Sequence, residues 1–279
     1  VATIGLVANP RSGSDVRRVV AAAGSSTLDD KTNIVRRVVL AAREVAPDAT
    51  FLHLGDPHAL VRRATETMRG ADVRQLDLPL SFTEQDSVDA AAALREAGCD
   101  VVVVLGGDGT NRAVVKGWPD APVIPLSTGT NNAFPVFVEP TVAGAAAGLV
   151  ASGAVPLDAV SRRAKLVHVE IDGEEPDIAL VDAVAVTDRF VGSLELFDPA
   201  TMRVAVLTRA EPAAIGFAAV GGLLEPVSDL DEGGLLVRFA SPGETPALVL
   251  HAPTAPGHYA DLPIAEVRRL APDEPVTVR

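Results

Sequence analysis

The chain has 279 residues, enough for one large domain or two with a sizeable core. It is 48% hydrophobic and 22% charged, an ordinary soluble composition, and its 4% aromatic content points to an aliphatic core. A net charge of −13 with no basic block argues against nucleic acid as a partner and, more weakly, against docking on an anionic membrane surface.

Residues 3–8 predict a strand that breaks at Asn9-Pro10 into a Ser/Gly turn. A helix follows over 29–46, where Ile34, Val35, Val38, Val39 and Ala42 recur at helical spacing. Residues 49–55 predict a short strand, 56–70 a helix with Pro57 in its first turn, and 71–79 another strand. The stretch 83–98 reads as a helix opened by Thr83 and closed by Gly98. Val101 to Leu105 is a continuous apolar, β-branched run, as in a strand buried on both faces of a parallel sheet. It runs into Gly106-Gly107-Asp108-Gly109-Thr110, then a helix from Asn111 capped by Thr110. Residues 121–135 predict a strand entering a second polar, glycine-containing loop, and 142–155 a buried or amphipathic helix too short to span a membrane.

Alternating strands and helices of this length predict a parallel sheet with helices on its faces, an α/β Rossmann-like domain. After about residue 155 the pattern changes. Two strands joined by a hairpin near Asp172-Gly173, further strands in 200–210, 233–241 and 246–253, and one helix in 212–224 predict a β-rich domain. The expected division is residues 1–138 for the α/β domain and 139–279 for the β-rich, β-sandwich-like one, with allowance for the last element returning to the first domain. The β-rich half could supply the interface of a homo-oligomer. Cys99 stands alone, so no internal disulfide forms, which suits a reducing cytoplasm. No signal peptide is visible, and Val1 as first residue leaves a trimmed start open.

Three polar turns follow predicted parallel strands. They hold Asn9, Pro10, Ser12 and Gly13; Gly106 to Asn111; and Thr128, Gly129, Thr130, Asn131 and Asn132. Ligands of open α/β sheets bind at the carboxyl ends of strands, where glycines admit a close approach and helix-start N–H groups attract anions. Together the turns suggest a nucleotide-phosphate site. Asp108 is the odd residue, because a carboxylate repels phosphate. It makes sense as a helix cap, as the holder of a metal that the phosphates also touch, or as the base on an attacking hydroxyl. The five histidines show no metal-ligand spacing and read as structural or surface residues. Arg162, Arg163 and Lys165 read as a solvated cluster or as a contact to phosphates. No Gly-x-Ser-x-Gly elbow, Walker-type Gly-Lys-Ser/Thr or Gly-x-Gly-x-x-Gly fingerprint is present.

Asn9-Pro10-x-Ser12-Gly13, Gly106-Gly107-Asp108-Gly109-Thr110 and Gly129-Thr130-x-Asn132 resemble the motifs shared by NAD kinases and diacylglycerol-type lipid kinases. The wording of the second block is most similar to the ATP-NAD-kinase-like acetoin-catabolism X protein branch. Residues 214–226 and 231–236 are weaker matches to later motifs of the two kinase groups. The resemblance implies an α/β domain followed by a β-sandwich-like one, with the active site in the cleft between them. It implies ATP or polyphosphate with Mg²⁺ as donor, and a hydroxyl as acceptor, with NAD the substrate expected first. Asp108 would be the general base, and the three turns would bind the nucleotide. Which residues hold the metal is left open. Two departures stand out. Arg112 occupies the place where lipid kinases carry Glu, and Asp188-Arg189 is the nearest counterpart of the substrate-gripping Asn-Glu of NAD kinases. The alternatives are an accessory or sensor protein of acetoin catabolism without turnover, and a kinase for a lipid or other small alcohol.

Overall fold

A computed structural model describes residues 1–12, 26–128, 132–187 and 198–278. Its amino-terminal unit is built on five parallel strands: β1 (Thr3–Ala8), β2 (Thr50–Leu54), β3 (Asp72–Leu76), β4 (Val101–Gly106) and β5 (Val123–Ser127). Their spatial order is β3-β2-β1-β4-β5. The chain winds outward from β1 through β2 to β3, crosses back to β4 beside β1, and ends at β5. The switch in direction therefore lies between β1 and β4, the crevice where open α/β sheets take ligands.

The unbroken valine run has a direct explanation. Val101, Val103 and Leu105 face a core shared with α1 (Leu28–Val45), α2 (Leu60–Thr65) and α5 (Pro140–Ala151). Val102 and Val104 face the opposite core, with Leu94 from α3 (Gln85–Glu96) and Val114 from α4 (Asp108–Gly117). Both faces are dry, so no alternation is left to see. Thr27 opens α1 with a capping box: its hydroxyl accepts from Asp30 N at 3.1 Å while the Asp30 carboxylate accepts from Thr27 N at 3.0 Å. α1 and α5 pack backbone to backbone through Gly144 and Gly148. The short α6 (Leu157–Val160) follows α5.

Three expected helix starts move. α4 begins at Asp108 with Gly107 as its cap, so Thr110 lies inside the first turn and caps nothing. α3 begins at Gln85 with Glu84 at its cap, and Thr83 stands one residue earlier, its hydroxyl accepting from Gln85 N and lying 2.7 Å from Ser81 Oγ. α2 begins at Leu60 and leaves Pro57 outside, since Ala59 adopts a left-handed φ of 49° and the Asp56 carboxylate caps His58 N and Leu60 N. Cys99 is buried, and burial with Asp100 nearby pushes its thiol up to about 12, so it is inert. His53 is a structural residue as expected: its Nδ1 lies 2.8 Å from Leu54 O, and burial draws its pKa down.

The second unit is β-rich, as expected. β6 (Val167–Val169) and β7 (Asp177–Ala179) form an antiparallel pair, with Gly173 at φ +83° in the turn between them. β8 (Asp182–Val186), β9 (Met202–Leu207), β10 (Gly234–Phe239), β11 (Leu248–Ala255) and β12 (His258–Leu270) form an antiparallel sheet ordered β11-β12-β10-β9-β8. Helix α7 (Phe217–Leu224) adds Val220 to the core of Met202, Leu207, Leu235, Val237, Phe239 and Leu262. Phe217 meets Phe239 edge-on at 6.2 Å. Lys165 is half-buried, and its ammonium donates to Ser228 O and Asp231 O within this unit. No helix of the described residues is long and apolar enough to cross a membrane.

Candidate functional site

The sheet brings the ends of β1, β4 and β5 side by side, and side chains then lock the turns together. Asn9 leaves β1 with its N–H on Leu105 O at 3.0 Å. Its side-chain oxygen accepts from Arg11 N at 2.9 Å, the Asx turn that asparagine favours. Its amide nitrogen donates to Thr110 Oγ1 at 2.9 Å, tying the β1 turn to the first turn of α4. Ser12 Oγ donates to Asn9 O at 2.8 Å and lies 2.7 Å from Thr128 Oγ1, tying the same turn to the end of β5. Ser12, Thr110 and Thr128 are all buried.

Asp108 heads α4, and its Oδ1 accepts from Phe134 N at 2.8 Å. It thus bonds the loop after β5 to the helix start. Asn111 is fully buried. Its Nδ2 donates to Gly107 O at 2.9 Å, while its Oδ1 is buried with no partner among the described residues. A buried acceptor in that state carries a penalty of about 1–3 kcal/mol and suits a donor such as a ligand hydroxyl or a water. Arg112 turns to the surface, where its Nη1 contacts both oxygens of Glu84 at 2.8 and 3.1 Å.

Gly106 and Gly109 of the central turn do different work. A Cβ on Gly106 would lie 2.4 Å from the Thr110 side chain, so this glycine lets the helix start fold against its own strand. Among the described residues, a Cβ on Gly109 would meet nothing within 4 Å. Space therefore opens beside the first N–H groups of α4, which have no intrahelical acceptor. Gly109→Ala is expected to leave stability unchanged or raise it by up to about 1 kcal/mol, through helix propensity. It is expected to weaken nucleotide binding about tenfold or more by filling that space. Thermal unfolding and calorimetric titration of one preparation read both effects.

Among the described residues no three His, Cys, Asp or Glu side chains group as a metal site. A magnesium ion held mainly by nucleotide phosphates and water needs only one or two carboxylates, and Asp108 is the one this turn offers. Of the expected site residues, Asn9, Pro10, Ser12, Gly106, Gly107, Asp108, Gly109, Thr110, Asn111 and Thr128 converge on one edge. Asn132 is described and half-buried. Gly13, Gly129, Thr130, Asn131, Asp188 and Arg189 lie outside the described residues. One participant was missed. Lys31 of α1 is 1% exposed, and its Nζ donates to Pro10 O and Ser12 O, each at 2.6 Å. Its one signal in the sequence is a lysine four residues before Val35, on the apolar face of the helix.

Residues 4–155 match the ATP-NAD kinase N-terminal domain family, and residues 165–279 match the acetoin catabolism protein X C-terminal domain family. The chain is 40% identical to acetoin catabolism protein X of Cupriavidus necator, over 99% of this chain and 80% of that protein. A solved diacylglycerol kinase of Bacillus anthracis is similar at 15% identity and a TM-score of 0.38, over 87% of this chain and 74% of that one.

Proposed function

The chain belongs to the acetoin catabolism protein X family, with an amino-terminal half of ATP-NAD kinase type, and from that premise we propose that it is a nucleotide-binding accessory or sensor protein of acetoin catabolism that works without turnover. The observation that carries this reading is the Asp108–Phe134 hydrogen bond. A carboxylate that accepts a loop N–H at 2.8 Å is engaged as a strut between the helix start and the loop. Nucleotide phosphates would lie against the start of α4, beside Gly109 and the Thr110 hydroxyl. Asn9, Ser12 and Thr128 would hold the flanking turns in place. Magnesium would enter with the phosphates and offset the Asp108 charge. Gly13, Gly129, Thr130, Asn131 and Asn132 would complete the cradle.

A second reading keeps the same pocket and adds chemistry. Asp108 is the one carboxylate in a turn otherwise made of hydroxyls, an amide and backbone. As a base it would take the 2′-hydroxyl proton of NAD while that oxygen bonds to the terminal phosphorus of ATP or polyphosphate and the shortened donor leaves. A lipid or other small alcohol could stand in for NAD. Calorimetry with Mg-ATP, polyphosphate and NAD, run beside an assay for NADP, separates these outcomes. Micromolar binding without NADP is the expected result. Steady NADP formation would replace the accessory reading by the kinase one, and the absence of any binding would remove both.

A further inference from the structure

We infer that Lys31 is a positioning residue that sets the 9–12 turn for a polyanionic ligand, an inference that rests on the nucleotide-phosphate reading above. The argument begins with the helix. Along α1, Lys31 shares a stripe with Val35, Val38, Val39 and Ala42, all fully buried, so its place belongs to the apolar core. A lysine is among the residues least often fully buried, because the charged head must be held by other polar groups. Here it reaches past the core to the end of the neighbouring strand and donates to two carbonyls of one turn, Pro10 O and Ser12 O, each at 2.6 Å. An aliphatic residue would fill the core equally well. What lysine adds is the grip on the turn and a positive charge beneath it.

Both additions favour an anion. Fixing the Ser12 carbonyl fixes the residue whose hydroxyl sits 2.7 Å from Thr128 Oγ1, and fixing Pro10 holds the neighbour of Asn9, whose amide meets Thr110. The two side-chain links that tie the β1 turn to the other two turns thus both run through the segment that Lys31 holds. The two carbonyl dipoles point at the ammonium, where they cannot repel a phosphate. In a chain of net charge −13, the Lys31 ammonium places a cation against this turn, beside the Arg11 guanidinium within it, and such charges favour phosphate oxygens.

The test compares wild type with Lys31→Met and Lys31→Arg, using inorganic tripolyphosphate, Mg-ATP and adenosine as probes. In the methionine variant, tripolyphosphate affinity is expected to fall about tenfold or more with a flatter salt dependence, while adenosine binding is unchanged. Arginine is expected to recover part of the loss. Amide exchange at residues 9–12 of the unliganded protein is expected to quicken in the methionine variant, with β1 unaffected. Should that variant fail to fold, Lys31→Gln, which keeps an N–H donor but no charge, carries the same expectation. Unchanged tripolyphosphate affinity, or an equal loss for adenosine, would make Lys31 a structural residue and overturn the inference. So would unchanged exchange at 9–12. A wild-type protein that binds neither tripolyphosphate nor Mg-ATP removes the nucleotide reading itself, and the anion role of Lys31 goes with it.

Discussion

Gly144→Ala is expected to destabilise the amino-terminal unit by about 1–3 kcal/mol, although alanine is the better helix former by about 1 kcal/mol. The reason is where the methyl would go. A Cβ at Gly144 would lie 2.2 Å from Val38 O and 2.8 Å from Val38 Cα, both backbone atoms of α1. No rotamer change relieves a clash with backbone, so the two helices must separate. Gly148 repeats the contact one turn along, with a Cβ 2.5 Å from Ala42 O. Separation would pull Ala143 and Ala147 away from the Val35–Val38–Val39 face and leave unfilled space against β4. The double variant Gly144→Ala/Gly148→Ala is expected to cost more than either alone. A denaturant midpoint that falls with an unchanged slope is the expected signature. Equal or higher stability in Gly144→Ala would show that α1 and α5 do not pack through these glycines. Gly109→Ala is the matched control, because a Cβ there meets nothing within 4 Å among the described residues.

This contrast between glycines marks how far the sequence could be read. The valine run of β4, the helical spacing of α1 and the regular alternation of elements specify the parallel sheet, because burial on two faces leaves a plain hydrophobic signal. The turn motifs specify which strand ends carry the polar groups. Other features depend on partners distant in sequence. Gly106, Gly109 and Gly144 look alike as letters, and only the neighbours of each Cβ separate a packing glycine from one that leaves room for a ligand. Lys31 sits in a polar opening to a helix, and its burial depends on two carbonyls 19 and 21 residues away. β12 went unread because Pro263 interrupts its pattern, and proline counts against a central strand. The structure accommodates it at an irregularity: the β10–β12 register shifts between Arg238 and Phe239, beside Pro263, whose carbonyl accepts from Ala240 N at 2.7 Å. Thr110 was misread as a cap for a related reason. A hydroxyl at a helix start suggests capping, yet its oxygen is taken up by Asn9, which lies 101 residues away.

Asp108 divides the two functional readings, and two substitutions tell them apart. In Asp108→Asn the side-chain oxygen can still accept from Phe134 N, so the strut survives. What goes is a negative charge at the start of α4, worth about 0.3–1 kcal/mol to the helix. Its loss also lowers repulsion toward phosphate. Nucleotide affinity is therefore expected to hold within about threefold or to improve modestly. Asp108→Ala removes the acceptor as well. Phe134 N then loses this acceptor, and the loop after β5 loosens. The expected cost is about 1–3 kcal/mol of stability. A tenfold or greater fall in nucleotide affinity is expected with it, as Thr128 and its neighbours lose their frame. A strut thus predicts that asparagine is tolerated and alanine is not. A base predicts something else: asparagine would bind the nucleotide as wild type does, yet any transfer to NAD would drop by about 10²–10⁴-fold, because an amide takes no proton. Equal behaviour of the two variants in binding and stability would count against the strut, since asparagine keeps the acceptor oxygen that alanine lacks. The decisive pair of readings is nucleotide affinity across wild type, Asn and Ala, and NADP formation in wild type against Asn. Tolerance of Asn in the first with nothing to lose in the second is what a protein that holds its nucleotide unchanged must show.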